Sequence, residues 1–442
     1  MQVNPNVHNL RNTMCFKTWN DIIISLPNRT VKWCCKTQTT DDDIKQTTFD
    51  LDTLDLDFLF KHPILQKRQY ELSGGTQCED CVTCWESERK SGSSYRTIYN
   101  SNYDFMLNRR MEKTKNHPHK AIEFHKQQME ADRFQFIEIE LTNKCNMACA
   151  YCWAGNSTRW QKEMKTPFPD TDDLIFDRVI ELLNEYWETT LHKKDRVNFS
   201  LLGGEPFFTD HMYRFIEDFM VNLNDNKRSG QHIIITITTN LNFPEKKFKQ
   251  FIELVERTPN ITYALQLSGE ALGRQSELVR WGLNYDTWDK NIDLFFTESK
   301  RLKNLRMGFG CAHNALTLPY FKSFLEYIND KVKLHDFSDN QIIMHHNYVE
   351  RPEHLSVAML DPKHAKAVDE QIEYIENEMQ DVKFYKRNGF INMMKSLREQ
   401  VAGNEVTEFM KRDATTEFNM LQNRRNINFI EHFPHFHELI RK

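Results

Sequence analysis

The sequence predicts an α/β protein: a curved, open, partial (β/α)6 barrel, TIM-like in its strand–helix alternation, with a cysteine-rich unit before it and a helical extension after it. From residue 134 onward, six strand-like segments (134–141, 196–202, 232–240, 261–268, 305–312 and 340–348) alternate with amphipathic helical stretches. Such β–α repeats imply a parallel sheet with right-handed crossovers, and six strands are too few for a closed eight-stranded barrel. Nine of the ten cysteines fall in two groups, six before residue 85 and three at 145–152, with Cys311 alone. In a reducing compartment that grouping indicates metal ligands rather than disulfides.

Residues 1–128 read as one unit. Segments 21–26 and 30–35 are short strands around the turn Pro27-Asn28-Arg29, a hairpin signal. An acidic stretch (39–60), a turn at Gly74-Gly75 and the run CVTCWESERKSGSSYR follow, and the charged segment 108–130 reads as a connecting helix. Residues 129–350 hold the barrel. Its first helix is expected over 172–191, where apolar residues recur three and four apart. Residues 351–442 read as helices that pack on the barrel or close its open edge, without legible chemistry.

With 442 residues the chain can build a large core and two or three domains. A net charge of −5 supplies no overall basic field, so a nucleic-acid partner is not favoured. No apolar run approaches the roughly 20 residues that span a bilayer. The N-terminus lacks the apolar core of a signal peptide. A cytoplasmic protein without a membrane partner is the expectation.

The run LTNKCNMACAYCW places Cys145, Cys149 and Cys152 in one short loop after the first barrel strand. Three thiolates are one fewer than an ordinary iron–sulfur cluster takes. Three protein ligands leave one metal position open to a substrate or cofactor. On these residues alone, a zinc knuckle completed elsewhere or three buried thiols would also serve. The C-x3-C-x2-C spacing resembles that of the radical SAM superfamily, with Tyr151 at the aromatic position before the last cysteine. The resemblance implies a [4Fe–4S] cluster on these three cysteines, its fourth iron chelated by S-adenosylmethionine (SAM). It also implies reductive cleavage of SAM to a 5′-deoxyadenosyl radical that takes a substrate hydrogen.

Successive strand ends supply the rest of the implied pocket. Gly203-Gly204-Glu205-Pro206 matches the family's GGEP motif, in which glycines permit close backbone approach. An exposed carbonyl and the Glu205 carboxylate would then receive the methionine ammonium. Strand three ends at Thr238-Thr239-Asn240 and strand four at Ser268, which by resemblance contact the ribose through Ser268 with help from Asn240. Arg280 fits a family position for clamping the methionine carboxylate, with Arg274 as a competing choice.

Cys81 and Cys84, with Glu88, Gly92, Ser94 and Arg96, resemble the C-x2-C-x3-E-x3-G-x-S-x-R signature of twitch/SPASM-type auxiliary-cluster domains. By that resemblance Cys15, Cys35, Cys81 and Cys84 would hold a second [4Fe–4S] cluster, with Cys34 and Cys78 as alternates; a zinc ribbon is the competing use of such pairs. Two features depart from the pattern. Asn28-Arg29-Thr30 replaces the usual hairpin glycine, and the auxiliary unit precedes the barrel. The order resembles a group of twitch-domain radical SAM proteins, many of them encoded by phages.

Three further residues are catalytic candidates. Cys311, near the end of strand five, could donate a hydrogen atom if it faces the barrel mouth, although a buried core cysteine is the commoner case. His345, His346 and Tyr348 end strand six. Side chains alternate there, so only some face inward; His345 and Tyr348 are the chosen pair, and His313 is similar. The function expected is a radical SAM enzyme acting on a peptide, protein or peptide-like metabolite, supplied with electrons by a reductase or a flavodoxin- or ferredoxin-type donor. Modification of a nucleotide, sugar or RNA is one alternative, and a non-enzymatic iron–sulfur redox sensor is another.

Overall fold

The computed structural model describes residues 13–36, 55–73, 75–91, 94–101 and 134–440. The helix expected over 108–130, most of the acidic stretch, Gly74 and Gly92 lie outside the described residues. The strands in chain order are β1 (Asp21–Ser25), β2 (Thr30–Lys32), β3 (Phe136–Glu140), β4 (Ala148–Cys149), β5 (Arg196–Leu202), β6 (His232–Thr239), β7 (Ile261–Ser268), β8 (Arg280–Trp281), β9 (Leu305–His313), β10 (Gln341–Tyr348) and β11 (Lys383–Phe384). The helices that bear on the sites are α1 (Val82–Ser91), α2 (Tyr95–Ser101), α3 (Thr158–Met164), α4 (Asp173–Thr189), α5 (Glu245–Arg257), α6 (Tyr285–Arg301), α7 (Phe321–Leu334), α8 (Ala365–Asn377), α9 (Arg387–Ala402) and α10 (Glu408–Arg425). The fold is mixed α/β with a largely parallel sheet.

The chain divides into two compact units. The first comprises Met1–Glu140, Thr171–Ser200 and Asn226–Ile233. Here β1 and β2 form the expected antiparallel hairpin, with Ile24 opposite Val31 and Ser25 opposite Thr30. The turn closes without a glycine because Arg29 takes the left-handed conformation at φ 50, a cost of order 1 kcal/mol for a side-chain-bearing residue. The hairpin is not a separate sheet. β1 runs parallel to β3, setting Ile22 beside Ile137 and Ile24 beside Ile139. All four are buried; β3 alternates between buried and half-buried positions, whereas β1 is buried along its whole length. Asn198 N–H donates to the Gln135 carbonyl at 2.8 Å, bringing the start of β5 beside this group. Helix α4 starts where Asp172 accepts from the Ile175 N–H at 2.8 Å. It buries Phe176, Val179, Leu183 and Trp187 on one stripe.

The second unit comprises Leu141–Asp170, Leu201–Asp225 and Ile234–Lys442. Its strands run in the order β6–β7–β9–β10–β11, and β7, β9, β10 and β11 pair in parallel. Tyr263 on β7 meets Phe251 of α5 at 5.7 Å, and Phe309 on β9 meets Phe324 of α7 at 5.6 Å. The odd-numbered residues of these strands therefore face the helices, and each fully buried large apolar side chain among them contributes roughly 1.5–3 kcal/mol. Even-numbered positions face the other way: Gln266 and Ser268 on β7, and Gly308, Gly310 and Ala312 on β9. The C-terminal extension is helical in α8, α9 and α10, but it also supplies β11, which sets Phe384 beside Ile342 on the β10 edge. No described helix is long and apolar enough to cross a membrane.

Candidate active site

The cysteine loop is fastened from several sides by backbone hydrogen bonds. Glu205 N–H donates to the Lys144 carbonyl at 2.9 Å, so the GGEP turn closes directly onto the residue before Cys145. Gly204, at φ +23, approaches so closely that a Cβ there would lie 2.2 Å from the Lys144 oxygen. Only glycine fits that position. At the middle of the loop, β4 pairs antiparallel with β8, setting Cys149 opposite Arg280 and Ala148 opposite Trp281. From α3, Trp160 Nε1 donates to the Cys149 carbonyl at 2.8 Å. Thr158 Oγ1 accepts from Cys145 N–H at 3.2 Å. At the end of β6, Asn240 Nδ2 donates to Asn146 Oδ1 at 3.0 Å and lies 3.8 Å from Cys145 Sγ.

This thiol trio is ready for a cationic partner. Burial pushes the Cys145 and Cys149 thiols up and Cys152 up to about 12, and the charge of Cys149 raises both of its neighbours further. Three free thiolates would repel one another in a dry loop, whereas iron ligation removes that conflict. The donor set therefore fits a cluster held by three cysteines.

Glu205 and Arg280, expected at the methionine ammonium and carboxylate, both hydrogen-bond within the protein. The Glu205 carboxylate is buried and already accepts from Thr239 Oγ1 at 2.7 Å, Asn240 N–H at 2.6 Å and Phe207 N–H at 3.1 Å. Burial lifts it to about 7 against the pull of those donors. It thus ties the end of β5 to the end of β6. Arg280 is buried and forked onto Glu270, at 3.0 Å from Nε and 2.5 Å from Nη2. Tyr151 O–H donates to the same carboxylate at 2.8 Å. Glu270 is the residue that sequence reasoning missed. A buried arginine beside a ligand loop needs a carboxylate partner, and the acid two residues past Ser268 was the available signal. Arg274 instead pairs with Glu277 on an exposed helix face.

Ser268 and His345 come together. In the parallel register Gly310 lies beside both, so their side chains share the face opposite the helices. A Cβ on Gly310 would meet nothing closer than Gln266 Cβ at 3.9 Å, which leaves the space between the two side chains open. Burial pushes His345 down to about 4, so it is neutral at pH 7. The other candidates point away. Cys311, a hydrogen donor only if it faced the mouth, is fully buried and lies between Phe309 and His313, both of which contact α7. Tyr348 is in register with His313 on that same outer face and hydrogen-bonds Ser396 of α9. His346, beside Cys311, meets His313 at 2.5 Å between ring nitrogens.

In the first unit Cys15, Cys34, Cys81 and Cys84 line one pocket together with Lys17 and Arg96. Cys35 is exposed, whereas Cys34 is buried. The thiol pairs Cys34–Cys35 and Cys78–Cys81 are each hydrogen-bonded. The signature residues brace this pocket. Arg96 forks onto Glu88 at 2.9 and 2.6 Å, donates to the Met14 carbonyl at 2.7 Å and stacks 4.7 Å over Trp85. Ser94 O–H donates to Glu88 at 2.5 Å. Asn100 at the end of α2 holds the Met14 carbonyl at 2.7 Å and the Phe16 N–H at 3.1 Å, fixing both neighbours of Cys15. Lys17 is paired with Asp21 and lies 4.8 Å over the Tyr99 ring. Among the described residues no three Cys, His, Asp or Glu side chains gather tightly enough around one point for a single ion. Four thiols lining one pocket match the ligand number that an ordinary iron–sulfur cluster takes.

Comparison with known proteins agrees with the loop geometry. A curated relative, the uncharacterized protein MJ0907 of Methanocaldococcus jannaschii, is 23% identical over 199 residues, 45% of this chain and 59% of that protein. The chain thus spans well under two thirds of that relative's length. A solved structure described as polyhistidine-tagged anSMEcpe with bound AdoMet is 18% identical, with a TM-score of 0.36 over 56% of this chain and 62% of that one; a likeness at that level carries no argument. The family model described as the radical SAM superfamily matches residues 139–308. That span contains the cysteine loop, the GGEP turn, Ser268, Glu270 and Arg280, and over it the chain is similar to the radical SAM superfamily.

Proposed function

We propose that this protein is a radical SAM enzyme with a partial (β/α)6 barrel, a [4Fe–4S] cluster on Cys145, Cys149 and Cys152, and a second, twitch-like cluster in its N-terminal unit. The observation that carries the reading is the C-x3-C-x2-C loop closed onto the GGEP turn inside the matched segment. When bound, the cluster and SAM supply one electron and a radical able to take a hydrogen atom from substrate. The chain's own residues do the holding. Gly203 and Gly204 let the turn approach a ligand closely, and Tyr151 and Arg280 are locked by Glu270 beside the Cys149 strand. Asn240 steadies the Cys145 side, and the Ser268 hydroxyl faces the open space across Gly310 from His345. A neutral His345 can accept or donate one hydrogen bond to a substrate there. Cys15, Cys34, Cys81 and Cys84 are the ligand set we favour for the second cluster, with Cys34 in place of the exposed Cys35.

The substrate class that this reading favours is a peptide, protein or peptide-like metabolite, by resemblance to twitch/SPASM-type enzymes, with a flavodoxin- or ferredoxin-type reductant. The test is anaerobic: reconstitute, reduce with dithionite, add SAM, and quantify 5′-deoxyadenosine against Cys149→Ala. Product that depends on Cys149 supports the enzyme. No product, together with no effect of SAM on the cluster's EPR signal, would leave the redox-sensor alternative standing.

A further inference from the structure

Arg425, in the last turn of α10, reaches from the C-terminal extension to the cysteine loop. The guanidinium is buried, with its side chain 1% exposed. Nη2 donates to the Ala148 carbonyl at 2.8 Å, and Nε and Nη2 both donate to Glu163 of α3 at 3.1 Å. Its plane lies 4.6 Å from the Trp160 ring centre and 5.5 Å from that of Trp281. Three of these partners are themselves part of the loop's support: Ala148 precedes Cys149 and pairs with Trp281, and Trp160 donates to the Cys149 carbonyl. Nη1 is buried and has no hydrogen-bond partner among the described residues. Burying a cation without filling all its donors is costly. A guanidinium retained for packing alone would be replaced at a gain by a hydrocarbon of similar size. Its charge also lies beside the ligand, since the carbonyl it holds belongs to the residue just before Cys149.

We propose that Arg425 is a positioning residue of the SAM cluster: from the C-terminal extension it fixes the backbone before Cys149 and places a buried positive charge beside that ligand. The proposal rests on the cluster assignment given above. A positive charge favours the reduced cluster, which carries one electron more, and Glu163 partly offsets it. Opposite substitutions should therefore move the couple in opposite directions.

The experiment uses the full-length, anaerobically reconstituted protein and reads, by EPR at a fixed solution potential, the fraction of reduced cluster whose signal shifts on adding SAM. Arg425→Met should lower that fraction about tenfold, equivalent to roughly 59 mV for a one-electron couple. Arg425→Lys keeps the charge and should stay close to the parent, while Glu163→Gln should raise the fraction. Iron content and far-UV circular dichroism identify variants that keep the fold and cluster. If Arg425→Met keeps its iron and its reduced fraction is unchanged, Arg425 only packs and the proposal is overturned. Should Arg425→Met lose its cluster, Glu163→Gln decides: a rise sustains the proposal, and no change or a fall overturns it. A parent protein with no SAM-responsive signal would overturn the cluster assignment itself, a result distinct from any difference among the variants.

Discussion

The two cysteine sites are built on opposite plans around the same device. In the second unit the three thiols come from eight consecutive residues, and the support arrives from strand ends far along the chain: Glu205, Asn240, Glu270 and Arg280. In the first unit the thiols come from separate segments around residues 15, 34 and 81, and the support comes from one short stretch after the last of them, Glu88, Ser94, Arg96 and Asn100, which reaches back to Met14. Each nevertheless contains a buried arginine forked onto a glutamate, Arg280 on Glu270 and Arg96 on Glu88. A compact ligand motif needs long-range bracing, and a dispersed one needs a local clip to bring its pieces together. The shared ion pair does the bracing in both, since a fork to a carboxylate fixes direction as well as distance.

Breaking the two forks tests that comparison. Glu270→Gln strands Arg280 at a fully buried position and removes the acceptor of Tyr151. A loss of about 3–5 kcal/mol is expected for an uncompensated buried charge. The loss should appear in urea unfolding and as a SAM effect on the EPR signal that is weakened at least tenfold; unchanged SAM binding would show that Glu270 does not organise the pocket. Glu88→Gln should cost less, about 3 kcal/mol or below, because the Glu88 carboxylate keeps some contact with water. Its signature is selective. Iron should fall toward the content of one cluster while the SAM-responsive signal persists, and loss of both together would mean that the clip is not local.

The smallest effect lies away from both sites and checks that acid sensitivity does not originate in either. Burial holds His313 down to about 3 and His346 well below its usual value, with His313 adding to that drop. The unfolded chain binds protons near pH 6.5 and the folded chain does not, so stability is highest above that pH. It should fall as pH drops from about 6.5 toward 3, by about 1 kcal/mol per pH unit for each histidine. His313→Gln should flatten that slope in urea unfolding of the iron-free protein. An unaltered slope would assign the acid lability to other groups.

Much of this was legible in order along the chain. The six strands expected from residue 134 onward appear as β3, β5, β6, β7, β9 and β10, because alternation and β-branched content act within a few residues. The cysteine triplet and the GGEP turn were legible for the same reason: their spacing is local chemistry. The parallel pairing of β1 with β3 was not, since a hairpin signal specifies its own turn and says nothing of which strand its other edge meets. Nor was the direction of Cys311 and Tyr348, which depends on the phase of each strand against α7 and α9.

By itself the sequence determined the principal strands and helices and the two cysteine groupings, because each depends on neighbours within about a dozen residues. Tertiary structure alone decided which polar residues face the ligands and which brace them. Glu205 turns onto backbone donors, Glu270 takes Arg280, Cys34 is buried where Cys35 is exposed, and Arg425 arrives from 277 residues away to hold Ala148. A buried charge is placed by whichever partner the packed fold brings within hydrogen-bond reach, and no local pattern encodes that partner.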